Sequence, residues 1–235
     1  MLRSSNRFCA AASILLLVLF ANGAAHAALL SPADVEASRL LPPPPAPGSA
    51  TAKAEVAELH AIAARSTPDM LAAATHDAND ETPDLFNAVL GFDVMALPAT
   101  AKLLAEVHAE EEADSKAAKA FFHRDRPWIV DATIATCTKV APGPAATSYP
   151  SGHAITGFSM GLVLAALMPE KAQTILARSW EYAENRLVCG MHFRSDIVAG
   201  QEFGSVMALH LMQNPGFMAQ MDAARAELRA AHHIN

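Results

Sequence analysis

Between Ile155 and Met168 the chain runs without a single charged residue (ITGFSMGLVLAALM). As a helix this run is ~21 Å long, short of the ~30 Å hydrocarbon core of a bilayer, and Pro169-Glu170-Lys171 ends it abruptly. An element apolar all round that does not cross a membrane has to be covered by protein on every side. The run is therefore read as a central core helix around which the rest of the chain packs. Gly157 and Gly161, four apart on one face, would let a neighbouring helix come close. The flanking segments fit that role. Ala52–Ala64 carries Val56, Leu59, Ile62 and Ala63 at helical spacing, Thr67-Pro68-Asp69 reads as a cap before Met70–Ala74, and Pro98 opens a long helix to about Phe122. Ala172–Leu187 is amphipathic and Ile197–Met212 apolar, whereas Asp77–Asp84 and 127–150 break the pattern with polar residues and prolines. No run alternates as a strand would and no internal repeat appears. The fold class expected is all-α, a single compact helical domain over 51–235.

The N-terminal residues have a different character. Arg3 and Arg7 precede the apolar stretch Ala10–Ala21, and Ala25-His26-Ala27 fits the small-x-small rule, so 1–27 reads as a secretory signal peptide cut after Ala27. Residues 28–50 form a Pro-rich lead-in whose four consecutive prolines favour an extended backbone. The expected location is periplasmic, where cysteines oxidise. Cys137 and Cys189 remain after cleavage, as a candidate disulfide or as two separate buried thiols. The net charge of −7 argues against coating nucleic acid or anionic lipid. Even so, the stretch from Lys116 to Asp196 is net positive, and the acidic excess lies outside it.

Three short segments concentrate the chemistry. In the first, Lys119 and Arg126 are seven residues apart, about two helical turns, with Pro127 setting the helix end at Arg126. The second, Thr147-Ser-Tyr-Pro-Ser-Gly-His153, enters the core helix with Ser151 as its natural N-cap; free amides at a helix start and a hydroxyl make an anion cradle. In the third, Asn185-Arg186 precedes His192 and Asp196, which are i,i+4. A carboxylate on one imidazole nitrogen fixes the tautomer and leaves the other nitrogen as base, nucleophile or ligand. Three cations, an amide cradle and two histidines suit a phosphoryl group whose charge spreads over its oxygens.

In order and internal spacing the segments resemble the signature of the phosphatidic acid phosphatase type 2 / vanadium haloperoxidase superfamily: Lys-x6-Arg-Pro, Pro-Ser-Gly-His and Ser-Arg-x5-His-x3-Asp. Within it the chain is most similar to bacterial class A non-specific acid phosphatases. That likeness rests on the Leu41–Pro45 lead-in with Gly48-Ser49, the Ser-Tyr-Pro-Ser-Gly-His core, and Cys189-Gly190 before His192. It extends from about residue 40 to 200. The departure is Asn185, where the family has Ser; its consequence for Arg186 is open at this point.

The resemblance implies a metal-independent acid phosphatase acting on a broad range of small phosphomonoesters, with phosphotransfer as a side activity. His192 would be the nucleophile, Asp196 its orienting acid and His153 the proton donor to the leaving group. Lys119, Arg126, Ser151, the Gly152 amide and Arg186 would hold the phosphate. No cofactor is implied, nor a nucleic-acid partner or a membrane span; a homo-oligomer is compatible with the sequence. His108 with Glu110–Glu112, and His123 with Asp125, lack a coherent metal-ligand set and read as solvated helix face. Arg124 and Arg194 are candidates for the pocket rim or for solvent, and Phe86–Met95 with Tyr149 for the leaving-group pocket. A vanadium-dependent haloperoxidase is the alternative enzyme. A non-catalytic phosphate binder is the alternative of another class, although it would have no use for the two histidines.

Overall fold

The computed structural model describes residues 29–31, 35–140 and 147–234; the expected signal peptide, 1–27, lies outside them. Ten α-helices follow one another in the described residues, with short 3-10 turns and no strand: α1 (Ala37–Leu40), α2 (Ala50–Arg65), α3 (Pro68–Asp77), α4 (Asn87–Leu90), α5 (Pro98–Phe122), α6 (Pro127–Val130), α7 (Gly152–Leu167), α8 (Ala172–Val188), α9 (Arg194–Leu211) and α10 (Pro215–Ala230). The all-α expectation is borne out. The helix starts are set by local chemistry. Ser49 and Thr67 each accept a hydrogen bond at 3.2 Å from the amide three residues on, and Pro68 supplies a preset φ.

The apolar run is the centre of the molecule, as its composition requires. Almost every residue of α7 is buried, and α8 and α9 flank it while α5 packs across it. On one side Gly157 and Gly161 face Ser179 and Tyr182 of α8. On the other, Gly200 of α9 lies so close that a methyl group there would sit 2.6 Å from the Ser151 carbonyl oxygen and 2.7 Å from Ala154 Cβ. Backbone cannot yield as a side chain does. Gly200→Ala should therefore cost about 1–3 kcal/mol through overpacking, lowering the midpoint of a thermal melt by about 2–4 °C per kcal/mol. An unchanged midpoint would mean that α9 can move away from α7.

The last helix has no counterpart in the sequence expectations. Asn214 caps it, accepting from the Gly216 and Phe217 amides at 2.8 and 3.2 Å, and Pro215 opens it. Its buried face is Phe217, Met221, Ala224 and Leu228, at helical spacing, and it packs on α5. It also completes α5: the Glu227 carboxylate accepts from the Ala99 and Thr100 amides at 3.0 and 2.9 Å, satisfying donors that a helix start leaves open. Cys137 and Cys189 form a disulfide that joins the segment after α6 to the end of α8. Beside it Gly190 turns at φ +64, a left-handed conformation that favours glycine. None of the helices is long and apolar enough to cross a membrane among the described residues.

Candidate active site

The three segments converge where α7 begins. Ser151 caps α7, accepting from the Ala154 amide at 3.4 Å, and its own amide donates to the Asp196 carbonyl at 3.0 Å, which ties the second segment to the third. Lys119 reaches in from α5 and donates to Ser115 Oγ at 2.6 Å. A methyl group on Gly152 would lie 3.2 Å from Lys119 Nζ, so the missing side chain leaves room for the ammonium at the helix start. Arg126 arrives by another route than expected. Helix α5 stops at Phe122, His123 takes a left-handed conformation, and Arg126 precedes α6 in an extended conformation. The seven-residue spacing thus works through a helix end and a loop, not through two turns of one helix.

His192 and Asp196 likewise do not share a helical turn. His192 lies before α9, and Asp196, in its first turn, accepts from the Phe193 amide at 2.8 Å. This cap turns the carboxylate back toward His192, leaving Asp196 Oδ2 3.3 Å from His192 Nδ1. The same oxygen accepts from Ser148 Oγ at 2.6 Å. On the other side of the ring, Arg126 Nη1 lies 2.8 Å from His192 Nε2. Guanidinium can only donate, so Nε2 must present its lone pair and Nδ1 must carry the proton toward Asp196. Burial pushes the His192 pKa well down, and Arg126, Arg186 and Lys119 push the same way. The result is a buried, neutral imidazole whose unprotonated nitrogen faces Arg126.

Arg124 accounts for how Asp196 stays in place. It was a candidate for the rim or solvent. Instead its side chain is 9% exposed, with Nη1 donating to Asp196 Oδ1 and Nη2 to Glu55 Oε2, both at 2.6 Å. Glu55 closes the ring by accepting from the Ser195 amide at 2.7 Å. Arg194 lies apart from the site, paired with Glu58 and Glu184.

Arg186 is buried, and its Nε and Nη1 have no hydrogen-bond partner. Burial pulls its pKa down to about 10 and, for Lys119, to about 8. Guanidinium donors held this way lack the hydrogen-bond acceptors that burial normally demands. The neighbouring Asn185, in place of the family Ser, donates to Asp77 Oδ2 at 2.7 Å. Asp77 is also gripped by Arg178 Nη2 at 2.6 Å, so the departure anchors the end of α3 to α8.

The adjoining cleft has a volume of about 300 Å³ and is lined by Glu81, His108, Glu112, Lys116, Lys119, Arg126 and Gly152, among others. Most of the residues that line it are charged or polar. Neither Tyr149 nor any residue of Phe86–Met95, the candidates for a leaving-group pocket, lines this cleft: Phe86 and Leu90 lie in the core, and the buried Tyr149 donates its hydroxyl to the Pro42 carbonyl at 2.6 Å. The solvated-face reading of His108 with Glu110–Glu112 also fails in part. Glu111 is buried between His108 and Ser159, and Glu110 is buried against the Leu29 amide; Glu112 alone is exposed. No group of three His, Cys, Asp or Glu residues able to hold a metal ion occurs among the described residues.

The three segments thus meet at one helix start, and comparison places the chain in one family. Residues 97–217 match the PAP2 superfamily model, and the chain belongs to that superfamily. It is 34% identical over 200 residues to an acid phosphatase of Zymomonas mobilis, covering 81% of this chain and 75% of that one. With a non-specific acid phosphatase of Salmonella typhimurium it shares 34% identity over 119 residues, spanning 50% of this chain and about half (47%) of that enzyme. The likeness to acid phosphatases drawn from the motifs is borne out. In fold the chain resembles the crystal structure of Aquifex aeolicus LpxE, with a TM-score of 0.54 and 19% identity over 66% of this chain and 93% of that one.

Proposed function

We propose that the protein is a secreted acid phosphatase that cleaves small phosphomonoesters through a phosphohistidine on His192, without a metal ion. The observation that carries this reading is the buried pair of unpartnered Arg186 donors beside a neutral His192 whose Nε2 faces Arg126. A bound phosphoryl group supplies the missing acceptors.

In the first step Nε2 attacks phosphorus and the bond to the leaving oxygen breaks, its electron pair staying on that oxygen. His153 gives the oxygen a proton. In the second, water attacks the phosphohistidine, its proton returns to His153, and phosphate departs. Charge on the non-bridging oxygens is held by Lys119, Arg126, Arg186, Ser151 and the Gly152 amide, and Asp196 supports the imidazolium that forms. His192 has to be neutral and His153 protonated before attack. Burial pushes the His153 pKa down, so activity is lost as pH rises through that pKa in the complex, which favours mildly acidic solution. The charged and polar side chains that line the cleft suit varied hydrophilic leaving groups, and another alcohol in the place of water gives phosphotransfer.

The cleaved, purified protein should hydrolyse p-nitrophenyl phosphate in EDTA and be inhibited by vanadate. Loss of activity in EDTA that a divalent cation restores, or phosphate binding with no turnover, would contradict the proposal.

A further inference from the structure

Glu81, which no sequence signal singled out, lies in the polar break between α3 and α4 with its side chain 54% exposed, yet Oε1 is 2.7 Å from His153 Nδ1. Its position is built by its neighbours. The Tyr182 hydroxyl donates to the Asp80 carbonyl, Arg178 holds Asp77 on one side and the Leu85 carbonyl on the other, and Asp80 Oδ1 accepts from the Thr82 amide at 2.9 Å. The loop is thereby fastened to α8, whose Tyr182 ring stacks on His153 at 5.3 Å. The groups facing His153 are Arg186 and Tyr182 from α8, the Ala78 carbonyl and Glu81 from the loop, and His192 from before α9. Lys119 of α5 stands by the preceding Gly152. Among these Glu81 supplies the carboxylate, while His153 Nε2 is buried without a hydrogen-bond partner.

We propose that Glu81 is a positioning residue for His153: it accepts a hydrogen bond from Nδ1–H, fixes the ring, and favours the imidazolium, with Nε2 as the nitrogen that protonates the leaving oxygen. The proposal rests on the phosphatase reading above. It gives the two histidines opposite surroundings, since Asp196 is shared with Arg124 and Ser148 whereas Glu81 is held by His153 first of all. Environments that separate two titrating groups are how acid and nucleophile roles are assigned. As the P–O bond breaks, the Nε2 proton passes to the alkoxide, and water's proton replaces it in the second step.

The test compares leaving groups. An alkoxide requires a proton, whereas p-nitrophenolate departs as an anion with little help. For Glu81→Gln, kcat on glycerol 2-phosphate is expected to fall about tenfold, and on p-nitrophenyl phosphate by less than about threefold, KM changing little. The alkaline limb of the pH profile moves to lower pH, which a merely structural role would not cause. Equal losses on both substrates with an unmoved limb would overturn the proposal. So would tighter binding of both, which would make Glu81 a stand-in for the substrate anion. A wild-type protein that hydrolyses neither ester overturns the phosphatase reading itself, so the two failures are distinct.

Discussion

Replacing His192 by alanine is expected to lower kcat for p-nitrophenyl phosphate on the order of ten-thousand-fold, because removal of a nucleophile eliminates the covalent route. The cradle does not depend on that ring: Lys119 rests on Ser115, and Ser151 caps α7 and bonds to the Asp196 backbone. Inorganic phosphate or vanadate should therefore still bind His192→Ala, and the circular dichroism spectrum should match the wild type. Binding retained with turnover lost separates the nucleophile from the cations. Full activity in this variant would refute the assignment.

The second large effect concerns Arg124. It spans two buried carboxylates, Glu55 and Asp196, at 2.6 Å each, and covers the Phe193 ring at 4.3 Å. Removing one member of a buried charge cluster leaves the others uncompensated, typically at a cost of about 3–5 kcal/mol. Arg124→Met keeps the stem packed on Phe193 and removes the charge, so urea unfolding should show a loss of that size. Activity should fall too, since Asp196 loses the partner that fixes Oδ1. Adding Glu55→Gln should recover part of the stability, because one orphaned carboxylate is then gone. A single variant as stable as the wild type would show that water replaces the guanidinium at no cost.

The legible part of the molecule is the part in which chemistry is local. An uncharged run has one place to go, and α7 is at the centre. Helix caps at Thr67 and Ser151 are chosen by residues within one turn, so they could be read from neighbours alone. The residues proposed to face phosphate were legible because Pro-Ser-Gly-His and the paired His192 and Asp196 carry their spacing with them. What sequence reasoning missed depends on distant partners. Arg124 sits between Lys119 and Arg126 in a charged stretch, and nothing local distinguishes a guanidinium that crosses to Glu55, 69 residues away, from one in water. Glu81 looked like part of a solvated break, and its meaning came from His153 on another element. Glu110 and Glu111 are on a charged helix face that the fold covers. For α10 a signal existed: Asn214-Pro215 and the spacing of Phe217, Met221, Ala224 and Leu228.

The central claim, a covalent phosphate on His192, is tested most directly by mixing the protein with labelled phosphomonoester and quenching within one turnover under alkaline conditions, followed by peptide mapping. The account predicts base-stable, acid-labile label on the peptide that contains His192. Label on a serine, or release of the alcohol in the first turnover with no labelled protein, would contradict it.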